Sequence, residues 1–461
     1  MTTRSDTADR TEKMEAKQAE LEKQGVRYCI ASFTDINGVM KAKFVPIERF
    51  AHLMEGSELY NVCAMEGLNI GRDANDFESC TIPDLDSLVV LPWKPDTAWL
   101  AADIQYEGKP DALCARQVLK RVVARAREMG FGLNFGIETE LYVLRERLDG
   151  TYGPYHPEDK MQNTPGYDVR MTLDSMDWLD TMVRYMNSLG FGVYSFDHEA
   201  GHGQFEFDFG FTDVVGMADR FTFFRLMARE VARLKGAVAT FMPKPYANDY
   251  GSGAHFNMSL ADVKTGANLM GDRSDSRGIG ISQLAYQFVA GVLEHAGAIT
   301  AVAAPTVNSY KRLVARGFNA DITWAPIYRA YGDNNKTLMV RIPRARNRIE
   351  NRAADSANNV YLAAALSFAA GLEGIRKKLD PGPPRNENMY LLSDAELAER
   401  GVRYLPRTLL EAIEELEADP LVDEVFTPEL KKGFIQYKRR EWAGYHNTVS
   451  PWEVDRYLKM F

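Results

Sequence analysis

Two glutamates separated by one residue, Glu138 and Glu140, stand in the strand-like segment LNFGIETELYVL at 133–144. Because alternate side chains of a β-strand point to the same face, the two carboxylates are expected to lie together. Aromatic and β-branched neighbours are typical of a strand, yet acids occupy positions where a covered sheet would carry apolar residues. Burying carboxylates without a cation costs free energy. The pair therefore predicts half of a metal site.

Further donor side chains stand on short alternating segments downstream, namely Glu199, Glu206, His255 and Glu350. Glu199 and Glu206 flank a Gly-Gln turn and can converge from the two arms of a hairpin. Hard oxygen donors with one imidazole suit Mg²⁺ or Mn²⁺ better than Zn²⁺, and two such ions side by side suit phosphoryl transfer. A solvated strand face is the alternative for any one of these acids, but it explains the whole set less well.

A second group of residues is cationic and comprises Arg312, Lys336, Arg341, Arg344, Arg346, Arg348 and Arg352. A run of charges is often a solvated face. Strand alternation nevertheless places Arg348, Glu350 and Arg352 on one face, beside a predicted metal-binding glutamate. Planar guanidinium groups bind phosphate and carboxylate with two hydrogen bonds. The pattern therefore predicts that an anion binds between them.

Composition and motifs exclude several other classes. The net charge of −9 and the pI near 5.5 argue against a general nucleic-acid binder. No segment approaches the roughly 18 consecutive apolar residues of a membrane span, and the N-terminus is polar, so we expect a cytoplasmic protein without a membrane partner. The four cysteines lack metal or disulfide spacing and predict free thiols. No P-loop, dinucleotide fingerprint or serine-hydrolase elbow occurs in the right context.

At 461 residues the chain is long enough for two domains. Residues 1–25 are charged and predict a solvated helix after a frayed start, whereas residues 26–108 are strand-rich and open with a hairpin signal at 26–46. From residue 109 to 461, strands that carry the acids alternate with long helices, for example at 176–189, 216–235, 278–303 and 356–378. We predict an α+β fold with one small and one large domain.

Several motifs resemble the glutamine synthetase family over nearly the whole chain, in order and spacing: FTDINGVMK, ETE at 138–140, HEAGHGQFEFD, KPYANDYGSGAHFNMSL, PTVNSYKRLV and RIENRAADSANNVYLAAA. The resemblance implies a small β-grasp N-terminal domain and a large catalytic domain with a curved antiparallel sheet flanked by helices. It also implies a dodecamer of two hexameric rings, with active sites between neighbouring subunits.

The resemblance also implies a role for each matching residue. One ion would be held by Glu140, Glu199 and Glu206, and a second by Glu138, His255 and Glu350; the family uses ATP with two to three Mg²⁺ or Mn²⁺ ions. Its catalytic residues would be Asp35, Arg312, Lys336 and Arg352, with Asp35 reaching into the neighbour's site. Its nucleotide contacts would be Asn257, Ser259 and Arg341, and its substrate contacts Tyr167, Gly251, Arg312, Arg352 and Asn319.

The chain departs from the family pattern at three positions, two of them near the substrates and one, Asn257, near the nucleotide. Asn319 stands where the family has a glutamate that closes the ammonium site, although Asp321 lies two residues on. Tyr250 replaces a substrate-contacting asparagine, and Asn257 replaces a second histidine. The TWAP and YGDNN signatures are similar to the branch of γ-glutamyl-alkylamide ligases that includes γ-glutamylmethylamide synthetase. Tyr390 resembles a position that is adenylylated in some members, but a loop tyrosine without a regulatory role is the preferred interpretation.

The resemblance thus implies an ATP-dependent ligase that joins methylamine to L-glutamate through γ-glutamyl phosphate. The alternatives are a glutamine synthetase that uses ammonia, in which Asp321 replaces the missing acid, or a ligase for another small alkylamine. A non-catalytic ring protein of the same fold is a third interpretation, although no ligand is lost here. Metal-assisted amide hydrolysis fits the acids but leaves the cations without a role.

Overall fold

The structure is a computed structural model that describes residues 4–65, 67–69, 72–156, 165–315, 323–344 and 347–461, with side chains from residue 13 onward. Two β-sheets organise the chain, and the first belongs to its N-terminal quarter. Its strands are β1 (Tyr28–Thr34), β2 (Met40–Pro46), β3 (Leu59–Tyr60), β4 (Ser79–Pro83), β5 (Val89–Leu91), β6 (Lys94–Tyr106) and β7 (Lys109–Pro110). They follow the order β2-β1-β6-β4-β3, with β5 and β7 paired to β6. The antiparallel β1–β2 pair confirms the predicted hairpin.

The second sheet carries the predicted metal-ligand acids or the turns beside them. Its strands are β8 (Phe131–Glu146), β9 (Tyr152–Pro154), β10 (Val193–His198), β11 (Gln204–Phe209), β12 (Thr212–Asp213), β13 (Val238–Thr240), β14 (Ala254–Asp262), β15 (Tyr328–Asp333), β16 (Leu338–Ile342) and β17 (Ile349–Asn351). The strands follow the order β10-β11-β8-β14-β17-β16-β15, while β9, β12 and β13 pair with β8. All pairs are antiparallel except β15–β16.

The helices cover one face of this sheet and the flank of the first. They are α1 (Arg4–Lys23), α2 (Phe50–Met54), α3 (Ala115–Glu128), α4 (Val169–Asp174), α5 (Met176–Ser188), α6 (Val214–Leu234), α7 (Gln283–Glu294), α8 (Ala296–Ala303), α9 (Ser309–Arg312), α10 (Val360–Lys377), α11 (Asp394–Glu399), α12 (Leu409–Ala418), α13 (Pro420–Val425), α14 (Pro428–His446) and α15 (Pro451–Tyr457). The helix predicted at 278–303 is wrong in extent, because it begins at 283 and is divided at His295.

The two faces of β8 explain how the fold supports a polar site. Odd-numbered residues such as Phe135 are fully buried, and the Phe135 ring packs edge-on against Phe256 of β14 and Phe368 of α10. Even-numbered residues, among them Glu138 and Glu140, therefore point to the opposite face. Helix packing stabilises one face through apolar burial, and the other face is left for chemistry.

Three further predictions concern the cysteines, membrane spans and domain limits. All four cysteines are free, as predicted. In the described part of the chain, none of the helices combines the length and apolarity that a bilayer crossing requires. The division of the chain into domains at residues 25 and 108 stays a prediction.

Candidate active site

Strand register brings the predicted ligands together. Glu138 of β8 is paired with His255 of β14, and Glu140 of β8 with Glu206 of β11. Farther along the sheet, Glu350 of β17 is paired with residue 257 of β14. Because paired residues share a face and lie within a few ångströms, the sheet itself assembles two groups of donors. In each group, the donor atoms all lie within 4.8 Å of one another.

The first group, Glu138, His255 and Glu350, is here called the arginine-paired cluster. His255 Nδ1 lies 3.4 Å from a Glu138 carboxylate oxygen and 3.8 Å from Glu350. Glu350 is fully buried and accepts hydrogen bonds from Arg341 at 2.9 Å and Arg352 at 2.6 Å. Burial and the charge of Arg352 hold the pKa of His255 well below its usual value. The imidazole is therefore neutral and has the lone pair that a metal ligand requires.

Glu138 has its own partners in this cluster. It accepts hydrogen bonds from Asn257 at 3.0 Å and from Arg348 at 3.2 Å. Arg348 also donates to the Asn257 side-chain oxygen at 2.5 Å, so the three side chains form a closed triangle. Arg348 was recognised in the sequence only as sharing a face with Glu350, and the structure adds it to the site.

The second group, Glu140, Glu199 and Glu206, is here called the acidic cluster. Burial and the nearby Glu199 charge raise the pKa of Glu140 to about 7. Burial, followed by the charges of Glu140 and Glu199, raises the pKa of Glu206 well above its usual value. Among the described residues, no lysine or arginine lies within ion-pair distance of these three carboxylates. Glu140 is buried and Glu199 and Glu206 are partly buried, and three such clustered acids fit a divalent ion with oxygen ligands.

The predicted substrate cation Arg312 lies near both clusters, because its charge lowers the pKa of Glu140 and of His255. Arg312 is buried and donates to the backbone oxygens of Arg352 at 3.0 Å and Ala353 at 3.2 Å, and burial lowers its pKa. Gly251 packs against the Arg312 side chain so closely that an added Cβ would lie 2.7 Å from Arg312 Cγ. Lys336 is exposed and lies 5.4 Å from the centroid of the Trp324 ring.

The other predicted site residues lie on several different parts of the chain. Ser259 lies on β14 two residues beyond Asn257, on the same face. Tyr167 is 71% exposed, and the Glu199 charge followed by burial raises its pKa, so its phenol faces the acidic cluster. Asn319 and Asp321 lie outside the described residues, as does Arg346. Arg344 is an exposed partner of Asp333.

Asp35 has hydrogen-bond partners within its own chain. Its carboxylate is only 3% exposed and accepts hydrogen bonds from the backbone N–H groups of Asn37 and Val39, both at 2.9 Å. Its backbone oxygen accepts from Asn359 of the same chain at 2.9 Å. The predicted role of Asp35 at a neighbouring subunit's site stays a prediction.

Tyr390 is likewise held within the chain. Its hydroxyl donates to the Ala325 backbone oxygen at 2.5 Å, and burial raises its pKa to about 12. An engaged, partly buried hydroxyl agrees with the interpretation of this tyrosine as a structural loop residue, which stays a prediction.

One residue absent from the sequence-based prediction stands in the centre of the site. Gln204 is the first residue of β11 and is paired with Tyr142, two residues beyond Glu140. The signal in the sequence is its position two residues before Glu206, which places both side chains on one strand face. Glutamine is a common surface residue, and only the fold shows that this one is 1% exposed.

A sheet face with two adjacent carboxylate-rich clusters and arginine side chains beside them defines an enzyme of the metal-assisted phosphoryl-transfer class. Comparison with known proteins is consistent with this chemistry. The family model "Glutamine synthetase, catalytic domain" matches residues 112–457. The chain belongs to the glutamine synthetase family, a family of ligases that depend on ATP and divalent metal ions.

Individual relatives and structures agree with this assignment. The chain is 38% identical over 447 residues to a glutamate–methylamine ligase of Methyloversatilis universalis, covering 97% of this chain and 99% of the relative. It is 35% identical over 448 residues to a glutamine synthetase of Methanosarcina mazei, covering 95% and 96%. A solved structure described as a GmaS/ADP complex superposes with a TM-score of 0.87 at 37% identity and covers 96% of this chain and 99% of its own. The predicted glutamine synthetase-like fold is thereby confirmed.

Proposed function

We propose that this protein is an ATP-dependent ligase that condenses L-glutamate with methylamine to γ-glutamylmethylamide. The observation that carries the proposal is the juxtaposition of the acidic cluster, the arginine-paired cluster and the buried Arg312 on one sheet face. The similarity to the glutamate–methylamine ligase of Methyloversatilis universalis supports the choice of amine.

The chemistry follows from the charges involved. A carboxylate does not react with an amine at neutral pH, so ATP first phosphorylates the γ-carboxylate of glutamate and leaves as ADP. The amine then attacks the acyl carbon of γ-glutamyl phosphate, phosphate leaves, and the amine loses a proton. When bound, two to three Mg²⁺ or Mn²⁺ ions would neutralise the negative charge of the reacting oxygens.

Different side chains of the protein would perform these steps. The two clusters would hold the ions through their carboxylates and the neutral His255. Arg312 and Arg352 would hold glutamate and the transferred phosphate, with Lys336 beside them. Arg341, Asn257 and Ser259 would contact the nucleotide, and Gly251 would line the glutamate site. Tyr167 would lie beside the acidic cluster, where the amine loses its proton.

Amine preference rests on charge and size. Ammonium has four N–H donors and a full charge, so a site selective for it gains from anionic acceptors, and Asn319 supplies none where the family has an acid. A methyl group requires a small apolar wall, for which Phe318 and Trp324 are candidates. The contact of one methyl group discriminates by only about 1–3 kcal/mol.

The test compares kcat/KM for methylamine and ammonia at equal concentrations of free base, with ATP, glutamate and Mg²⁺. We expect methylamine to be preferred at least about tenfold. Equal or better values with ammonia would favour a glutamine synthetase, the activity named for several relatives at 32–35% identity. Preference for ethylamine would indicate a ligase for larger alkylamines. No ADP formation with any amine would reject the ligase, and turnover without ATP would indicate a hydrolase.

We infer the quaternary structure from the family. A dodecamer of two hexameric rings, with each site between neighbouring subunits, stays a prediction, as do the limits 26–108 and 109–461 of the two domains. Light scattering after size exclusion would test the first, and limited proteolysis the second.

A further inference from the structure

Gln204 contacts three separate parts of the site. Its side-chain nitrogen Nε2 lies 3.1 Å from Glu140 Oε2 and 3.1 Å from the backbone oxygen of Gly251. Its side-chain oxygen accepts from the Gly201 backbone N–H at 3.0 Å. Its backbone oxygen accepts from the Glu199 N–H at 2.9 Å.

The chemistry of these partners fixes the orientation of the amide. The Gly201 N–H can only donate, whereas the Gly251 carbonyl can only accept. The nitrogen must therefore face Glu140 and Gly251, and its two protons have two acceptors. A flipped amide would place an oxygen against two acceptors in a site that is 1% exposed, which is strongly unfavourable.

This contact determines which oxygen of Glu140 remains for an ion. Oε2 accepts from Gln204 and also from the Gly253 backbone N–H at 2.8 Å. The other oxygen, Oε1, lies 3.7 Å from His255 Nε2, on the side of the two clusters. With Oε2 held by two donors, the carboxylate has one rotational setting.

The same nitrogen also holds the segment 243–253, here called the Gly251 loop. The loop packs Gly251 against Arg312, the predicted cation for glutamate. A second anchor is the hydroxyl of Tyr142, which donates to the Tyr250 backbone oxygen at 2.6 Å. Tyr142 thus holds the loop, and no hydrogen bond between its hydroxyl and Glu140 is among those the described residues make.

We propose that Gln204 is a positioning residue that couples the ion-binding acidic cluster to the glutamate-binding Gly251 loop. When glutamate binds and orders the Gly251 loop, the loop holds the Gln204 amide in place, and the amide holds the Glu140 carboxylate in place. Glutamate and the divalent ion therefore bind cooperatively. The inference rests on the proposed function for the identity of the loop's ligand, but its ion-binding part does not require turnover.

The experiment titrates Mn²⁺ into the purified, metal-free full-length protein by calorimetry, with and without L-glutamate. It compares the wild type, Gln204→Met and Tyr142→Phe. For Gln204→Met we expect Mn²⁺ affinity to fall about tenfold or more, as for other partners of metal ligands, and the effect of glutamate on that affinity to disappear. For Tyr142→Phe we expect a higher KM for glutamate with Mn²⁺ affinity within twofold of the wild type.

Two results would overturn the proposal. The first is a Mn²⁺ affinity of Gln204→Met within twofold of the wild type. The second is an equal loss of Mn²⁺ affinity in both variants, which would indicate a general structural effect. If circular dichroism shows that Gln204→Met is unfolded, Gln204→Asn decides by the same criteria, because its shorter amide cannot reach Glu140 and Gly251 together. If the wild-type protein binds Mn²⁺ but forms no ADP, the proposed function is rejected. The Mn²⁺ affinities of the variants would still decide the role of Gln204 in ion binding.

Discussion

The two ligand clusters lie side by side on one sheet face but differ in how the negative charge of their carboxylates is compensated. In the arginine-paired cluster, Glu350 is fully buried yet accepts hydrogen bonds from Arg341 and Arg352. In the acidic cluster, burial and mutual repulsion raise the pKa values of Glu140 and Glu206. The chain therefore supplies compensating charge to one cluster and leaves the other to protons or a divalent ion. Substitutions should consequently have opposite effects on stability in the two clusters.

The largest effect is expected for Glu350→Ala. Turnover should fall by about a thousandfold or more, because the variant removes an ion ligand and releases Arg341 and Arg352 from their partner. Leaving the buried Arg352 without that carboxylate should also reduce the free energy of unfolding by about 3–5 kcal/mol. Urea unfolding would measure this loss.

Glu138→Ala is the matched control for Glu350→Ala, because its partner Arg348 is 22% exposed at the side chain and can be solvated. It should also lose turnover, with a smaller loss of stability. Equal stability of Glu350→Ala and the wild type would show that the arginine pairs contribute nothing and that the two clusters do not differ in this respect.

Glu206→Gln should have the opposite sign in protein freed of metal by a chelator. Turnover should again be lost, because an ion ligand is removed. The free energy of unfolding should rise on the order of 1–3 kcal/mol at pH 8, since one pKa unit corresponds to about 1.4 kcal/mol and repulsion among the three clustered acids is relieved. Urea unfolding of the variant and the wild type measures this change, and a lower free energy of unfolding for the variant would contradict a repulsive acidic cluster.

The pH dependence of the metal-free protein should follow from the same acids. The pKa of Glu140 is about 7 in the folded chain and about 4.3 in an unfolded chain, so between these values the folded state binds more protons. Stability should therefore fall as pH rises from about 4.5 to 7. Mn²⁺ should raise Tm more at pH 8 than at pH 5.5, by on the order of 1–3 °C. Scanning calorimetry would measure this difference, and a larger gain at pH 5.5 would contradict the assignment.

The sequence alone could predict which residue types bind the ions, but not every contact between these residues and their neighbours. The spacing of Glu138 and Glu140 predicts a shared face, and the structure shows that face opposite the helix-packed one. The roles of Gln204 and Arg348 depend on the register between strands distant in sequence, which periodicity along one strand does not contain. The hydrogen bond between Asn359 and the Asp35 backbone oxygen likewise joins segments distant in sequence, and a turn signal does not contain it.

The smallest effect on turnover is expected at His295, the counterpart of His255 outside the site. Its ring nitrogens lie 2.8 Å from Asp419 and 2.6 Å from Glu373, so both must donate, and only the imidazolium has two donors. These hydrogen bonds outweigh burial and raise its pKa. Its contribution to stability is complete below pH 6.5, its approximate unfolded value, and is lost as pH rises through the folded pKa.

His295→Gln should therefore destabilise the protein by about 1–2 kcal/mol at pH 6 and by less at pH 9, with turnover within twofold of the wild type. The effect is limited because Glu373 also pairs with Lys377 at 3.0 Å and keeps a cation when the imidazolium is removed. Urea unfolding of variant and wild type at both pH values is the measurement. A loss of stability that is equal at pH 6 and pH 9 would mean that His295 is held as a neutral ring. The contrast between a charged structural histidine, His295, and a neutral ligand histidine, His255, would then disappear.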